Sequence, residues 1–294
     1  MTSTHQSGER SASRLPHGNK VAIVTGTSSG FGLLSAVSLA NCGYQVIATM
    51  RDLTKSNKLI EESKRVGVIN NIHCLQLDVT NSQTIEAAIR SAFQTWGRID
   101  VLVNNAGYAV GGYVEDIPMY DWEQQMNTNF LGLVAVTKAV LPIMRTQACG
   151  TIINVSSVSG KIGFPGYAPY AASKFAIEGF SEALRHEMLP FGVKVALIEP
   201  GSYQTDIWQK GFDTIHSPEH SAYRSKLEKM LKYSRQSAAS APHPQEVADL
   251  IVRIANHKNP KLRYPIGKGA ALILLGKSII PWKGFERIIA RLLK

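Results

Sequence analysis

Residues 20–40 read KVAIVTGTSSGFGLLSAVSLA. Val21–Thr25 is a short apolar, β-branched run, as expected of a strand buried on both faces. It passes directly into Gly26-Thr27-Ser28-Ser29-Gly30-Phe31-Gly32, and then into an apolar stretch of helical period, Leu33–Ala40. Glycines between a strand and a helix let the backbone approach a pyrophosphate, and the helix N-terminus supplies free N–H groups and a positive dipole end. The spacing is Gly-x3-Gly-x-Gly, not the general Gly-x-Gly-x-x-Gly. On the loop alone, a tight turn without a ligand stays open.

The same rhythm continues along the chain. The runs QVIAT, HCLQLDV, IDVLVNN, GTIINVSS and VKVALIEP alternate with helical stretches at Ile85–Trp96, Trp122–Met144 and Ala171–Leu189. Alternating strands and helices predict an α/β fold, a Rossmann-type doubly wound parallel sheet in a single domain. The expected organisation is a polar, disordered lead-in over 1–19, the sheet domain over 20–268 with a substrate lid at about 202–240, and a basic amphipathic segment over 269–294.

The 294 residues carry 44% hydrophobic and 18% charged side chains, an ordinary globular balance with ample length for a core. Three cysteines, Cys42, Cys74 and Cys149, are too few and too scattered for a disulfide framework, which points to a reducing, cytoplasmic setting. The lead-in has no apolar stretch of signal-peptide type. The net charge of +10 raises nucleic acid or an anionic membrane as partners, but residues 258–294 hold nine Lys/Arg against one acid, Glu286, and so carry +8 of it. The body is nearly neutral, and nucleic acid is excluded as an expected partner.

Three motifs fall where strand C-termini are expected: Met50-Arg51-Asp52, Asp78, and Asn104-Asn105-Ala106-Gly107. That edge is where ligands bind in open parallel sheets. An acid after the second strand suits a ribose 2′-OH and a cation suits a 2′-phosphate, so by spacing Asp52 and Arg51 are both admissible. Asp78 reads equally as a helix N-cap or an adenine contact. Tyr170 and Lys174 stand four apart in a helical stretch, about 6 Å apart along one face. A neighbouring ammonium favours phenolate, so the pairing predicts a lowered Tyr170 pKa; three units correspond to roughly 4 kcal/mol. Tyr264 and Lys268 share the spacing without a helix, so the pair alone decides little.

T-G-x3-G-x-G, N-N-A-G, Ser157 and Tyr170-x3-Lys174, taken together over residues 20–265, resemble the short-chain dehydrogenase/reductase family. VIATMRD, PYAASKFAIEGFSEALR and LRYPIGKG resemble its estradiol- and retinol-dehydrogenase-type branch. The resemblance implies an oxidoreductase that interconverts a hydrophobic ketone or aldehyde with its alcohol. Tyr170 would move the proton, Ser157 polarise the substrate oxygen, Lys174 tune Tyr170, and Asn129 hold a water leading to the lysine. Ser156 and Asn127 are the rivals for the serine and asparagine roles. The cofactor would lie against Gly26, Ser28, Ser29, Gly30, Phe31, Gly32, Arg51, Asp78, Val79, Asn105, Ala106, Gly107, Tyr170, Lys174, Pro200, Gly201, Tyr203 and Thr205. Phe31 stands where the family commonly has Ile. The family's acid position falls on Met50 and its NADP-type arginine on Arg51, so NADP(H) is expected, with NAD(H) as the alternative. The helices around 118–145 and 167–190 would pair subunits into a homodimer or homotetramer. The contrary class is a catalytically silent protein of this fold that senses NADP(H).

The lid contains Ile207, Trp208, Phe212, Tyr223, Met230, Leu231 and Tyr233, which suits a bulky hydrophobic substrate or, equally, packing of the lid on the body. His216 and His220 stand four apart, but no third ligand is near and no metal is expected. Phe285, Ile288, Ile289, Leu292 and Leu293 share a helical face with cations on the others, so the tail is expected either to pack or to touch a membrane surface.

Overall fold

The computed structural model describes residues 19–292. The calls on residues 1–18, and on Leu293 and Lys294 of the tail, fall outside that range. β1 (Val21–Thr25), β2 (Gln45–Met50), β3 (Ile72–Gln76), β4 (Val101–Asn104), β5 (Gly150–Val155), β6 (Val193–Pro200) and β7 (Arg263–Ile266) form a seven-stranded sheet in the order β3-β2-β1-β4-β5-β6-β7. Every neighbouring pair is parallel. The chain runs outward from β1 to one edge and then from β4 to the other, which opens a crevice at the carboxyl ends of β1 and β4.

One face of the sheet packs against α1 (Gly30–Asn41), α2 (Asn57–Val66) and α9 (Gln245–Asn256) around Val24, Val103, Val155 and Ile251. The other packs against α3 (Ser82–Trp96), α5 (Gly132–Gln147) and α6 (Ala168–Met188) around Ile23, Leu102, Ile152 and Met144. Burial on both faces is why the strands read as continuous apolar runs rather than alternating ones. α4 (Met119–Met126), a π-turn at Asn127–Leu131 and α5 make one continuous helical stretch, Met119–Gln147, long and apolar enough by composition to cross a membrane. Its residues Val136, Val140 and Met144 are instead buried against the sheet.

Several expectations need correction. The third strand stops at Gln76, although Leu77 still donates to the Met50 carbonyl. Asp78 is not a helix cap: Asn81 caps α3, accepting from Gln83 and Thr84. The expected Trp122–Met144 helix starts earlier and contains the π-turn. Tyr264 lies outside any helix, as expected, in β7, an edge strand too short and too polar to read from its sequence. The tail is two helices, α10 (Ala270–Ile279) and α11 (Trp282–Leu292), separated at Ile280-Pro281, because proline cannot continue a helix.

Candidate active site

The first turn is built by close packing of backbone on backbone. Gly26 has φ +71°, and a Cβ there would lie 2.9 Å from the Ala106 Cα. A Cβ on Gly32 would lie 2.5 Å from Asn105 Nδ2 and closer still to the Gly26 carbonyl oxygen. The N-N-A-G turn locks this loop from the next strand. Thr25 Oγ1 accepts from the N–H groups of Asn105 and Ala106, both at 3.0 Å. Asn105 Nδ2 donates to the carbonyls of Thr25 (2.9 Å) and Gly26 (3.1 Å). Its amide nitrogen is therefore committed to shaping the loop. Ser29 caps α1 with its backbone only, so the first N–H groups of the helix carry no side-chain cap.

Thr205 closes over this loop from the end of β6, its methyl 3.6 Å from where Gly30 would place a Cβ. Pro200 ends β6, and Gly201 N–H donates to the Ile266 carbonyl. Tyr203 departs from the expected role, because its phenol turns into the core. The ring is buried edge-on to Phe31 at 5.5 Å, and its hydroxyl donates to Glu246 at 2.8 Å. Val79 is likewise a core side chain, packed where Gly132 leaves room for it. Asp78 Oδ1 accepts from the N–H (2.9 Å) and hydroxyl (2.7 Å) of Thr80. Ser28 is half-buried in the glycine loop, and Gly107 packs against the Asn129 amide.

At the end of β2, Met50 is buried and Arg51 is exposed. The Asp52 carboxylate is occupied, accepting from Thr54 N (3.0 Å) and Thr54 Oγ1 (2.6 Å), with Lys55 Nζ at 3.8 Å. These bonds hold it below the usual carboxylate range. Arg51 has no ion pair among the described residues. Of the two candidates for the ribose end, the cation is the free one.

Ser157, Tyr170 and Lys174 come together. Ser157 lies two residues past the end of β5, extended, and its Oγ accepts from the Ser159 N–H at 3.1 Å, which leaves its own proton to donate. The Tyr170 phenol lies near enough to the Ser157 side chain to be stabilised by it as phenolate. Lys174 Nζ donates to the Val155 carbonyl at 2.8 Å and lies 5.6 Å from the centre of the Tyr170 ring. Ser156 points the other way, buried toward Gly160 with its Oγ lacking a hydrogen-bond partner. The register thus selects Ser157.

Electrostatics in this triad run against the sequence expectation. Burial pushes the Tyr170 phenol up, with the Ser157 side chain acting in the opposite direction. Burial also pulls Lys174 down to about 8, opposed by the Glu178 carboxylate. The ammonium gives one of its three N–H bonds to a backbone carbonyl and lies over the ring. The protein alone therefore keeps Tyr170 protonated.

Asn129 sits in the π-turn and is fully buried. Its Oδ1 accepts from Tyr108 N–H at 3.0 Å, and its Nδ2 donates to the Tyr108 carbonyl (2.9 Å) and Ser173 Oγ (3.2 Å). It ties the loop after β4 to α6, and π-turns recur at functional sites.

The sequence reading missed a buried cluster behind the triad. Glu178, one turn beyond Lys174, and Glu199 on β6 converge on Arg263 Nε at 3.1 and 3.3 Å. Burial raises Glu199 to about 7. The i, i+4 step from Lys174 to Glu178 was the available signal. The lid, α7 (Asp206–Asp213) and α8 (Arg224–Ala239) with the segment between, is pinned to the loop after β4. His216 N–H donates to the Gly111 carbonyl at 3.0 Å, and its ring pairs with Asp121 at 3.1 Å. Ser221 donates to Asp116 (2.6 Å), Tyr223 donates to Glu115 (2.8 Å), and the rings of Tyr113 and Tyr223 stack at 4.6 Å. The lid residues divide: Met230 is buried, Tyr223 stacks outside, and Tyr233 is exposed.

Residues 20–215 match the profile described as short chain dehydrogenase. The chain is 49% identical over 275 residues to the uncharacterized oxidoreductase YusZ of Bacillus subtilis, covering 92% of this chain and 98% of that one. It is 37% identical to a 3-ketodihydrosphingosine reductase of Bacteroides thetaiotaomicron, covering 84% and 88%. It is 36% identical to human retinol dehydrogenase 8, covering 83% and 80%. A solved short-chain dehydrogenase from Streptomyces avermitilis superposes with a TM-score of 0.78 at 30% identity, covering 94% and 95%.

Proposed function

The chain belongs to the short-chain dehydrogenase/reductase family, as an oxidoreductase of CH–OH groups with a nicotinamide cofactor, and from that premise we propose that it interconverts a hydrophobic ketone or aldehyde with its alcohol using NADP(H) in preference to NAD(H). The observation that carries this reading is the convergence of Ser157, Tyr170 and Lys174 beside the crevice mouth.

The residues fit a dinucleotide. The α1 N-terminus has no side-chain cap, the glycines leave no Cβ in the cradle, and Arg51 is free where Asp52 is occupied. A bound nicotinamide supplies the hydride chemistry. Arg51 and the Ser29 hydroxyl would hold the 2′-phosphate, the guanidinium through its bidentate fork.

Tyr170 carries the proton. Its neutral form, favoured by burial, is the one that donates to a carbonyl oxygen during reduction. Ser157 donates its hydroxyl proton to the same oxygen, while its own oxygen accepts from Ser159 N–H. Lys174 has two N–H bonds left after Val155, for the phenol side and for the ribose. Its charge stabilises phenolate once the proton has gone. Asn129 works as a positioning residue, since its amide is consumed by Tyr108 and Ser173. The lid excludes water and presents an apolar wall, and the names of the ketodihydrosphingosine and retinol relatives support a lipid-like substrate. Exposed Met119, Tyr120 and Leu131 on the α4–α5 stretch and Phe175 on α6 support pairing of two subunits there.

A panel of hydrophobic ketones, aldehydes and secondary alcohols, run with both cofactors and read by NADPH consumption or formation, tests this. Turnover of at least one apolar carbonyl with NADPH preferred is expected. Tight NADPH binding with no turnover across the panel would replace the enzyme by a cofactor sensor, and a strong NADH preference would remove the Arg51 assignment.

A further inference from the structure

α10 is inverted relative to a helix that merely covers a core. Its cation faces the body: Lys277 Nζ donates to the Lys161 carbonyl and lies 5.3 Å from the centre of the Phe175 ring. Its apolar stripe faces outward. Leu272, Leu275 and Ile279, spaced three and four residues apart, share one helical face, and Leu272 and Ile279 are 75% and 70% exposed. Trp282 extends the ridge past Pro281 at 62% exposure. Ala270 is the buried residue of this helix. In α11, Phe285 is buried, whereas Lys283, Arg287 and Arg291 are exposed. The result is an apolar ridge bordered by cations.

We propose that this ridge docks the protein in the plane of an anionic lipid surface. α10 has ten residues, so it is about 15 Å long, half of the roughly 30 Å hydrocarbon core; it can lie in the interface but cannot span it. Charge decides between a lipid surface and a second copy of the chain. Lys268, Lys283, Arg287 and Arg291 are exposed beside the ridge against one acid, Glu286, so two copies meeting ridge to ridge would oppose like charge, whereas an anionic surface complements it. The location fits a substrate gathered from that surface. Ala270 packs 3.7 Å from where Gly201 would place a Cβ, and Lys277 docks on the loop that follows Ser157, so the ridge sits at the same end of the sheet as the reacting groups. The docking itself does not depend on the proposed chemistry.

The test uses the full chain with vesicles of phosphatidylcholine alone and with about 30 mol% phosphatidylserine, by flotation at low and high salt. Two triple variants accompany it: Leu272→Ser/Leu275→Ser/Ile279→Ser, and Lys283→Glu/Arg287→Glu/Arg291→Glu. All six positions are exposed, and an unchanged far-ultraviolet circular dichroism spectrum checks the fold. The wild type is expected to float only with phosphatidylserine, with a blue shift of Trp282 fluorescence that Trp282→Phe removes. Losing one cation should weaken binding about fivefold, so the charge variant should lose at least about 100-fold. The apolar variant should lose the salt-resistant part of binding and the blue shift. Absence of flotation with phosphatidylserine at low salt, or flotation unchanged in both variants, would overturn the proposal. So would an apolar variant that dissociates an oligomer, seen by light scattering, while still floating, since the ridge would then be covered by a second copy.

Discussion

Replacing Gly32 by alanine adds one methyl group where the structure has no room. The new Cβ would lie 2.5 Å from Asn105 Nδ2 and nearer still to the Gly26 carbonyl oxygen. Relief requires the Gly26 turn and the Asn105 amide to separate by about 1 Å, which strains or breaks the bonds from Asn105 Nδ2 to the Thr25 and Gly26 carbonyls. Two such bonds at about 1 kcal/mol each, with about 1–3 kcal/mol of overpacking strain, give a loss of about 3–5 kcal/mol. At roughly 2–4 °C per kcal/mol for a domain somewhat smaller than this one, the melting temperature should fall by about 6–20 °C. The displaced turn also withdraws the N–H groups facing the phosphates, so the Kd for NADPH, measured by quenching of protein fluorescence, should rise about 100-fold or more. Gly179→Ala is the internal control, because nothing lies within 4 Å of a Cβ there and the glycine lies inside the α6 helix. It should leave the NADPH Kd unchanged and, because alanine is the better helix former by about 1 kcal/mol, raise the melting temperature by about 2–4 °C. If Gly32→Ala melted within a degree of wild type and bound NADPH within twofold, the packed cradle would not be what holds the cofactor.

Arg51→Glu should lower kcat/KM for NADPH by about 10–100-fold through loss of a charge-assisted contact, with NADH kinetics changed less than about threefold. Lys174 titrates at about 8 in the folded chain against 10.5 ordinarily, so the unfolded chain binds the extra proton between those values, and stability rises with pH across that window. Melting scans from pH 7.5 to 10 should show this rise, and Lys174→Met should remove most of it, leaving the smaller part from Lys277, which burial also lowers; the raised phenols Tyr44 and Tyr170 act in the opposite direction only above about pH 10. Breaking the lid latch with Ser221→Ala/Tyr223→Phe removes the bonds to Asp116 and Glu115 and should raise KM for the carbonyl about 3–10-fold while leaving the cofactor Kd in place, as read by steady-state kinetics and fluorescence titration.

The sheet and its binding edge were legible in the sequence because their causes are local. Doubly buried strands write themselves as unbroken apolar runs, and Gly26 and Gly32 mark where backbone meets backbone. The convergence of Ser157, Tyr170 and Lys174 was legible through strand end and helical spacing. What stayed hidden depends on tertiary surroundings. β7 is four half-exposed residues with a proline, Arg263–Ile266, and carries no pattern of its own. The direction of the Tyr170 shift follows from burial, which spacing does not reveal. Tyr203 and Val79 lie on the cofactor loops by position, yet their side chains turn inward to Glu246 and to Gly132. Asn129 could be picked by its place in NTNFLG, but its engagement with Tyr108 and Ser173 is visible only once the π-turn is formed.

In the proposed reaction one phenol, Tyr170, carries the proton. Single-turnover hydride transfer with Tyr170→Phe, followed by NADPH absorbance on the best carbonyl from the panel and paired with a binding titration, addresses it most directly. The expected result is a rate lower by about 10²–10⁴-fold with NADPH affinity within about threefold of wild type. A rate within tenfold of wild type, with the cofactor still bound, would contradict it.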